Sequence, residues 1–423
     1  MRRFVSVLIV IMVITSGCIA GGKGTPTAPE SSPAETSHPT NSDVLNPVQT
    51  DEAMNVVSAS NLFGTELYLK LSGEKGNVLI SPFSVFTALA MAYEGARGET
   101  AKEMGLVLHL PANDSKRREA FRTLLLNMER LGGIKLTVAN ALWVQRGYPV
   151  RKDYVDVIRR YYLGEARELD FQNDPESAER IINEWVREET NGKIENIVGN
   201  LDPLTRLVIT NAVYFRANWS SRFRPEDTRN ERFTLPSGEK ITVPMMHQLG
   251  EFNYTETEEV QVLEMPYEDS SFSMVIILPR KMDGLSGVER SLSPAFIGNL
   301  LEKLHPENVS VAIPKFEFRE SYPLSDVLRE MGIRSAFTDN ANFSGISEKP
   351  IAISDIRHKT FISVAENGTE AAAATAVTFT VVSVREEGQE YKVFRADHPF
   401  LFLIVDRESG LVLFLGRLED PRG

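Results

Sequence analysis

VAENGTEAAAATAVTFTVVSV, residues Val364 to Val384, changes character halfway along its length. Gly368 and Thr369 punctuate it like a loop. Ala371, Ala372, Ala373 and Ala374 are small residues with strong helix propensity. From Thr375 to Val382 every residue except Ala376 is β-branched or aromatic, and Val377, Phe379 and Val381 alternate with Thr378 and Thr380. The run Arg385 to Glu390 that follows reads as solvated. Two readings fit. In the first, Thr369 caps a helix with Glu370 near its positive end, and the helix runs into an edge strand. In the second, the stretch is a strand held in reserve, exposed at first and able to enter a sheet later. The odd-numbered residues from Thr369 to Val381 would then share one face, and none of them is charged.

The flanking chain supplies a sheet. Arg206 to Phe215 is a nearly continuous apolar run, which predicts a central strand covered on both faces and ending at Asn218-Trp219. Further strands are predicted at Ile134 to Val144, Glu231 to Val243, Val260 to Met265, Phe272 to Leu278 and Val309 to Phe318, and Ile351 to Val364 leads into the opening stretch. Phe400 to Val405 and Leu411 to Leu415, with a turn between them, predict a buried hairpin. Helices are predicted at Glu52 to Leu71, at Phe83 to Tyr93 behind a Ser81-Pro82 start, from Glu99, and at Ala120 to Arg130, Asp153 to Tyr162, Ser177 to Thr190 and Leu324 to Met331. The Phe83 helix is apolar nearly all round and therefore buried. Lys116, Arg117, Arg118 and Arg122, interleaved with Glu119 and Glu129, read as a solvated helix face rather than a polyanion site. Strands and helices alternate without a βαβ rhythm, so the fold class is α+β in one sheet-rich domain.

The 423 residues carry a net charge of −12, which argues against nucleic acid as a partner. The single cysteine, Cys18, excludes an intramolecular disulfide and a cysteine zinc site. It follows Arg2-Arg3, an apolar run from Phe4 to Ile14 and Thr15-Ser16-Gly17, an order similar to a prokaryotic lipoprotein signal. The alternative is an ordinary secretory signal with an incidental cysteine. On the lipoprotein reading, residues 1–17 are a signal peptide, 18–50 a flexible Gly/Ser/Thr/Pro tether, and 51–423 the folded domain. An acylated Cys18 would hold that domain extracellularly at a membrane surface. No H-E-x-x-H, G-x-S-x-G, Walker or dinucleotide motif occurs, and none of the six histidines is paired for metal. The expectation is no enzyme, no cofactor and no metal.

Four motifs at consistent order and spacing carry a family resemblance: SPFSVFTALAM at Ser81 to Met91, TNAVYFRANW at Thr210 to Trp219, GTEAAAAT at Gly368 to Thr375, and FRADHPFLFLI at Phe394 to Ile404. Together they make Asp51 to Pro421 resemble a serpin. Ala217 stands where a glycine is common in the second motif. The resemblance implies three β-sheets, about eight or nine helices and an exposed reactive-centre loop. It implies an irreversible suicide-substrate inhibitor of serine endopeptidases of the subtilisin, elastase or chymotrypsin kind. The cleaved loop would enter the main sheet and trap the acyl-enzyme. It also implies a hinge at Glu366, Gly368, Thr369, Glu370, Ala371, Ala372, Ala373 and Ala374. Glu366 would pair with Lys315 beside Trp219 at the insertion point. Ser81, Ser84, Asn211 and His358 would form a polar cluster beneath the sheet. Counting along the loop puts the reactive bond at Val382–Ser383, with Arg385–Glu386 as the alternative. The partners implied are serine proteases. The molecule is expected to be a monomer that forms loop–sheet polymers on heating.

Overall fold

Alternate residues of two long strands feed two separate cores. The computed structural model describes residues 50–130, 134–268, 271–369 and 390–423. In it β2 (Ile134–Gln145) and β4 (Leu207–Asn218) pair antiparallel along most of their lengths. Leu142 and Val144 of β2, with Leu207, Ile209, Val213 and Phe215 of β4, enter the main core. Ala139, Ala141 and Trp143, with Val208, Ala212 and Tyr214, enter a second core on the opposite face. A strand buried on both faces needs apolar residues at consecutive positions, which explains the unbroken apolar run.

These strands belong to a six-stranded sheet ordered β10 (Phe316–Pro323), β11 (Asp355–Ala365), β12 (Gly368–Thr369), β4, β2 and β3 (Glu165–Leu169). A nine-stranded path faces it: β1 (Val78–Ile80), β15 (Val412–Leu418), β14 (Phe400–Asp406), β8 (Phe272–Pro279), β7 (Val260–Pro266), β6 (Lys240–Glu256), β9 (His305–Pro314) and β13 (Lys392–Arg395), with β5 (Arg229–Thr234) paired to β6. Two of the three expected sheets are thus continuous through the 17-residue β6. Its first residues pair with β5, its middle with β9 and its end with β7.

Nine α-helices occur among the described residues: α1 (Asp51–Leu71), α2 (Pro82–Gly95), α3 (Gly98–Val107), α4 (Asp114–Arg130), α5 (Lys152–Tyr162), α6 (Pro175–Glu189), α7 (Leu285–Ser291), α8 (Pro294–Glu302) and α9 (Ser325–Met331). Of the residues of α2, only Tyr93 escapes full burial. The helix packs into the main core beneath β4 and β15. Helix α6 covers the second core, where Trp185 meets Trp143 edge-on with ring centroids 5.3 Å apart.

Several expectations need correction. Glu231 to Val243 is a hairpin, β5 and the start of β6, with a turn at Ser237-Gly238. Val309 to Phe318 is two strands in different sheets, parted at Lys315. The basic start of α4 is a solvated face at Lys116 and Arg122 but not at Arg117. The Arg117 side chain is 1% exposed and its Nη2 lies 2.9 Å from Glu94 Oε1. Arg118 donates to the other carboxylate oxygen of Glu94, and the Tyr162 hydroxyl donates to Oε1 at 2.6 Å. Charges buried this deeply persist because each finds a partner. Ser81 occupies the N-cap position of α2, yet its hydroxyl caps nothing and donates to the Leu413 carbonyl at 2.7 Å.

Candidate functional site: the seam between β4 and β11

Strands β4 and β11 run parallel and pair directly from Val208–Asp355 up to Tyr214–Phe361. Above Phe361 they part, and the chain fills the gap with its own next residues. It leaves β11 at Ala365, turns at Glu366-Asn367 and returns as β12. Val364 pairs with Thr369 and Ala365 with Gly368, while on the other side Gly368 pairs with Asn218 and Thr369 with Ala217. Gly368 and Thr369 therefore form an antiparallel wedge between two parallel strands. Thr369 is the second residue of a strand.

Local chemistry fixes the wedge. A Cβ on Gly368 would sit 2.0 Å from the Ala217 carbonyl oxygen, so only glycine lets the backbones meet here. Thr369 is fully buried, and its hydroxyl shares a hydrogen bond with the Tyr267 hydroxyl at 2.6 Å. Tyr267 in turn stacks on Trp219, with centroids 4.7 Å apart and planes 10° from parallel. The Trp219 indole donates to the Ala365 carbonyl at 2.9 Å and its backbone N–H to the Asn367 carbonyl at 2.9 Å. With the Phe223 N–H donating to the Glu366 carbonyl at 3.0 Å, the turn between β11 and β12 has its carbonyls satisfied by the residues just past β4, as a part-buried turn requires.

The Glu366 carboxylate completes the corner. Its Oε2 lies 2.8 Å from Lys315 Nζ, and its Oε1 accepts from the Thr228 hydroxyl at 2.9 Å. Burial pulls this carboxyl up, but the Lys315 ammonium and the Thr228 hydroxyl outweigh it and hold it below the usual range. Lys315 is placed by the break between β9 and β10 that separates the two sheets.

Lower on the seam, beneath the directly paired region, lies the polar cluster. His358 of β11 is opposite Asn211 of β4. The Ser81 N–H donates to His358 Nε2 at 3.1 Å, so the neutral ring carries its proton on Nδ1. Burial pushes this imidazole down to about 3, with the Asn211 backbone opposing. Asn211 Nδ2 donates to Ser84 Oγ and to Asn140 Oδ1, while Asn211 Oδ1 has no hydrogen-bond partner among the described residues. The structure therefore brings together Ser81, Ser84, Asn211 and His358, and separately Trp219, Lys315 and Glu366. Glu370 to Ala374, both candidate reactive bonds (Val382–Ser383 and Arg385–Glu386) and Cys18 lie outside the described residues.

Sequence reasoning missed Tyr267 and Asn140. Nothing near Tyr267 announces its role. Asn140 does leave a trace, because it interrupts the apolar phase Leu136, Val138, Leu142, Val144 with an amide.

The family model described as serpin (serine protease inhibitor) matches residues 58–421. An uncharacterized serpin-like protein of Thermococcus kodakarensis is 52% identical, with 100% of each chain covered. The leukocyte elastase inhibitor of Homo sapiens is 38% identical over 86% of this chain and 99% of its own. Among solved structures, human thyroxine-binding globulin complexed with thyroxine superposes with a TM-score of 0.80 at 27% identity, covering 88% of this chain and 100% of that one. On the fold, the wedge and these likenesses, the chain belongs to the serpin family.

Proposed function

We propose that this serpin is an irreversible inhibitor of serine endopeptidases that traps the acyl-enzyme by inserting its cleaved loop into the six-stranded sheet. The observation that carries this reading is the wedge of β12 between β4 and β11, which already sets register and direction. Continuing the Thr369–Ala217 register antiparallel along β4 brings Phe379 opposite Leu207, the far end of the strand. On this path Thr369, Ala371, Ala373, Thr375, Val377 and Phe379 face the main core beside Phe215, Val213 and Ile209. Glu370 falls on the other face, opposite the exposed Arg216. Thr375 arrives opposite Asn211, whose unpartnered Oδ1 can accept its hydroxyl. Apolar burial and ladder hydrogen bonds favour insertion, so the uncleaved state is held kinetically.

The loop count favours Val382–Ser383 as the bond cut, and a small β-branched residue before it suits an elastase- or subtilisin-like pocket. The elastase inhibitor among the relatives points the same way. Arg385–Glu386 would instead suit a trypsin-like enzyme. We take the inhibitor to act as a monomer at the cell surface, anchored through Cys18. Loss of a radiolabelled lipid from the Cys18→Ser protein checks the anchor.

Incubation with subtilisin, elastase, chymotrypsin and trypsin tests the function. The expected result is a covalent complex that survives denaturation, with release of a peptide that begins at Ser383. Cleavage without a complex by every enzyme would point to carriage or binding, as the name of thyroxine-binding globulin records for that relative.

A further inference from the structure

Six Asn-x-Ser/Thr triplets occur in the chain, beginning at Asn113, Asn218, Asn253, Asn308, Asn342 and Asn367. This spacing is that of an acceptor for N-linked sugar in an exported protein. A glycan is bulky and hydrated, so the amide that carries it has to stand in solvent, with the hydroxyl two residues on uncovered. The structure separates the six triplets on that requirement. Asn367 fails because Thr369 is fully buried and bonded to Tyr267. Asn253 fails because its Nδ2 donates to Glu264 Oε2 at 2.9 Å and Thr255 is buried. Asn308 and Ser310 lie inside β9, paired with Glu251 and Leu249 of β6, and Ser310 also pairs with Val393 of β13. Asn218 is half-buried at the end of β4, pairs with Gly368 and turns its amide to Glu268 at 3.4 Å. Asn113 is exposed, but its Oδ1 accepts from the Lys116 N–H at 3.0 Å, and Ser115 is already in the first turn of α4.

Asn342 differs from the other five. Asn342 and Ser344 are exposed on either side of Phe343, which is buried in the main core. The backbone is held in place: the Asn342 N–H donates to the Thr100 hydroxyl at 3.0 Å, and the Asn342 carbonyl accepts from the Arg97 N–H at 2.8 Å. Asn342 Oδ1 accepts from the Ser344 N–H at 3.2 Å, which closes a turn inside the triplet itself. Asn342 Nδ2 and the Ser344 hydroxyl make no hydrogen bond among the described residues. The triplet lies between β10 and β11 and belongs to neither.

We propose that Asn342 is the acceptor of an N-linked glycan donated by a lipid-linked glycosyl phosphate. The modification rests on the extracellular placement proposed above, since such sugars are added to exported chains. In the transfer, Nδ2 bonds to the anomeric carbon of the sugar. The anomeric C–O bond breaks, and its electron pair leaves with the lipid phosphate. One amide proton passes to a base of the transferase. The product keeps the backbone contacts of Asn342 with Thr100 and Arg97, and the sugar displaces only solvent.

The test is peptide mass spectrometry of the full chain isolated from its own cells. Trypsin releases residues 335–357 as one peptide, because Pro350 protects the bond after Lys349, and the peptide holds no second Asn-x-Ser/Thr triplet. The expected result is a mass raised by whole sugar units in the parent and in Ser344→Thr. Asn342→Gln and Ser344→Ala, made in the same cells, should both return the bare peptide. The peptides that bear Asn218, Asn253, Asn308 and Asn367 should be bare throughout. A bare 335–357 peptide in the parent overturns the site, and so does sugar on Asn113 alone. Sugar that survives Asn342→Gln sits on a hydroxyl and overturns it as well. Labelling of intact cells with a membrane-impermeant amine reagent reads the location separately. A labelled but bare protein removes the acceptor alone, whereas an unlabelled and bare one removes the extracellular placement and the acceptor together.

Discussion

The hydroxyls of Thr369 and Tyr267 lie 2.6 Å apart, in a place where both side chains are buried. One is the last described residue before the loop and the other closes the corner against Trp219. Removing the Tyr267 hydroxyl costs the buried Thr369 hydroxyl this bond, at about 1–3 kcal/mol. Tyr267→Phe and Thr369→Val should therefore each lower stability by that order. The double variant should cost less than the two together, because the shared bond is lost only once. Denaturant unfolding of the four proteins gives the cycle. Strict additivity would show that the pair does not act as a latch.

Thr369→Arg places a charge where the wedge begins. The position is closed by Val364 on one side, Ala217 on the other and Tyr267 above it. An unpaired buried charge costs several kcal/mol, roughly a hundredfold or more in rate if it is felt during insertion. Deacylation then overtakes insertion, and the variant should be cleaved as a substrate. The ratio of complex to cleaved product on a denaturing gel reads this directly. An undiminished ratio would mean that Thr369 need not be buried for trapping.

The elements that carry this site were legible in their periodicity, whereas Glu366, Lys315 and the cluster of Ser81, Ser84, Asn211 and His358 came only with the family resemblance. The doubly apolar β4 and the all-apolar α2 follow from side-chain geometry alone. The break that positions Lys315 was visible but easily passed over. Val309, Val311 and Ile313 are buried on odd numbers, whereas Phe316 and Phe318 are buried on even ones. Such a one-residue slip moves the strand to a different face. Arg117 was not legible. Its partners Glu94 and Tyr162 stand on two other helices, and nothing in the local charge pattern of α4 reports them. Tyr267 was hidden for the same reason, being 102 residues from Thr369.

The Glu366 corner predicts a pH dependence. Its carboxyl lies below the ordinary value in the folded protein, so the contribution is full above the unfolded pKa of about 4.3 and is lost as pH falls through the lower folded value. Lys315 is 38% exposed, and screening limits the pair to about 1 kcal/mol. Glu366→Gln should therefore be less stable than the parent at pH 7, with the difference closing toward pH 3. Paired thermal unfolding at the two values checks it. A gap that persists at pH 3 would assign the effect to packing of the side chain.

His358 gives the larger effect of the same sign. Burial holds its pKa at about 3 in the folded protein, against about 6.5 unfolded. Below about pH 6.5 the unfolded chain binds a proton that the folded one refuses. Stability contributed by the neutral ring is then lost by about 1.4 kcal/mol for each unit until the folded pKa is reached. The loss bears on the seam, because a charged ring can no longer accept from the Ser81 N–H at the head of α2. A proton there opposes the paired state of β4 and β11 while the loop is still out. Mild acid should then promote unfolding or premature insertion. Comparing the parent with His358→Gln at pH 7, 6, 5 and 4 isolates the term. The parent should lose stability relative to the variant at each step down, and parallel curves would remove His358 as the titrating group.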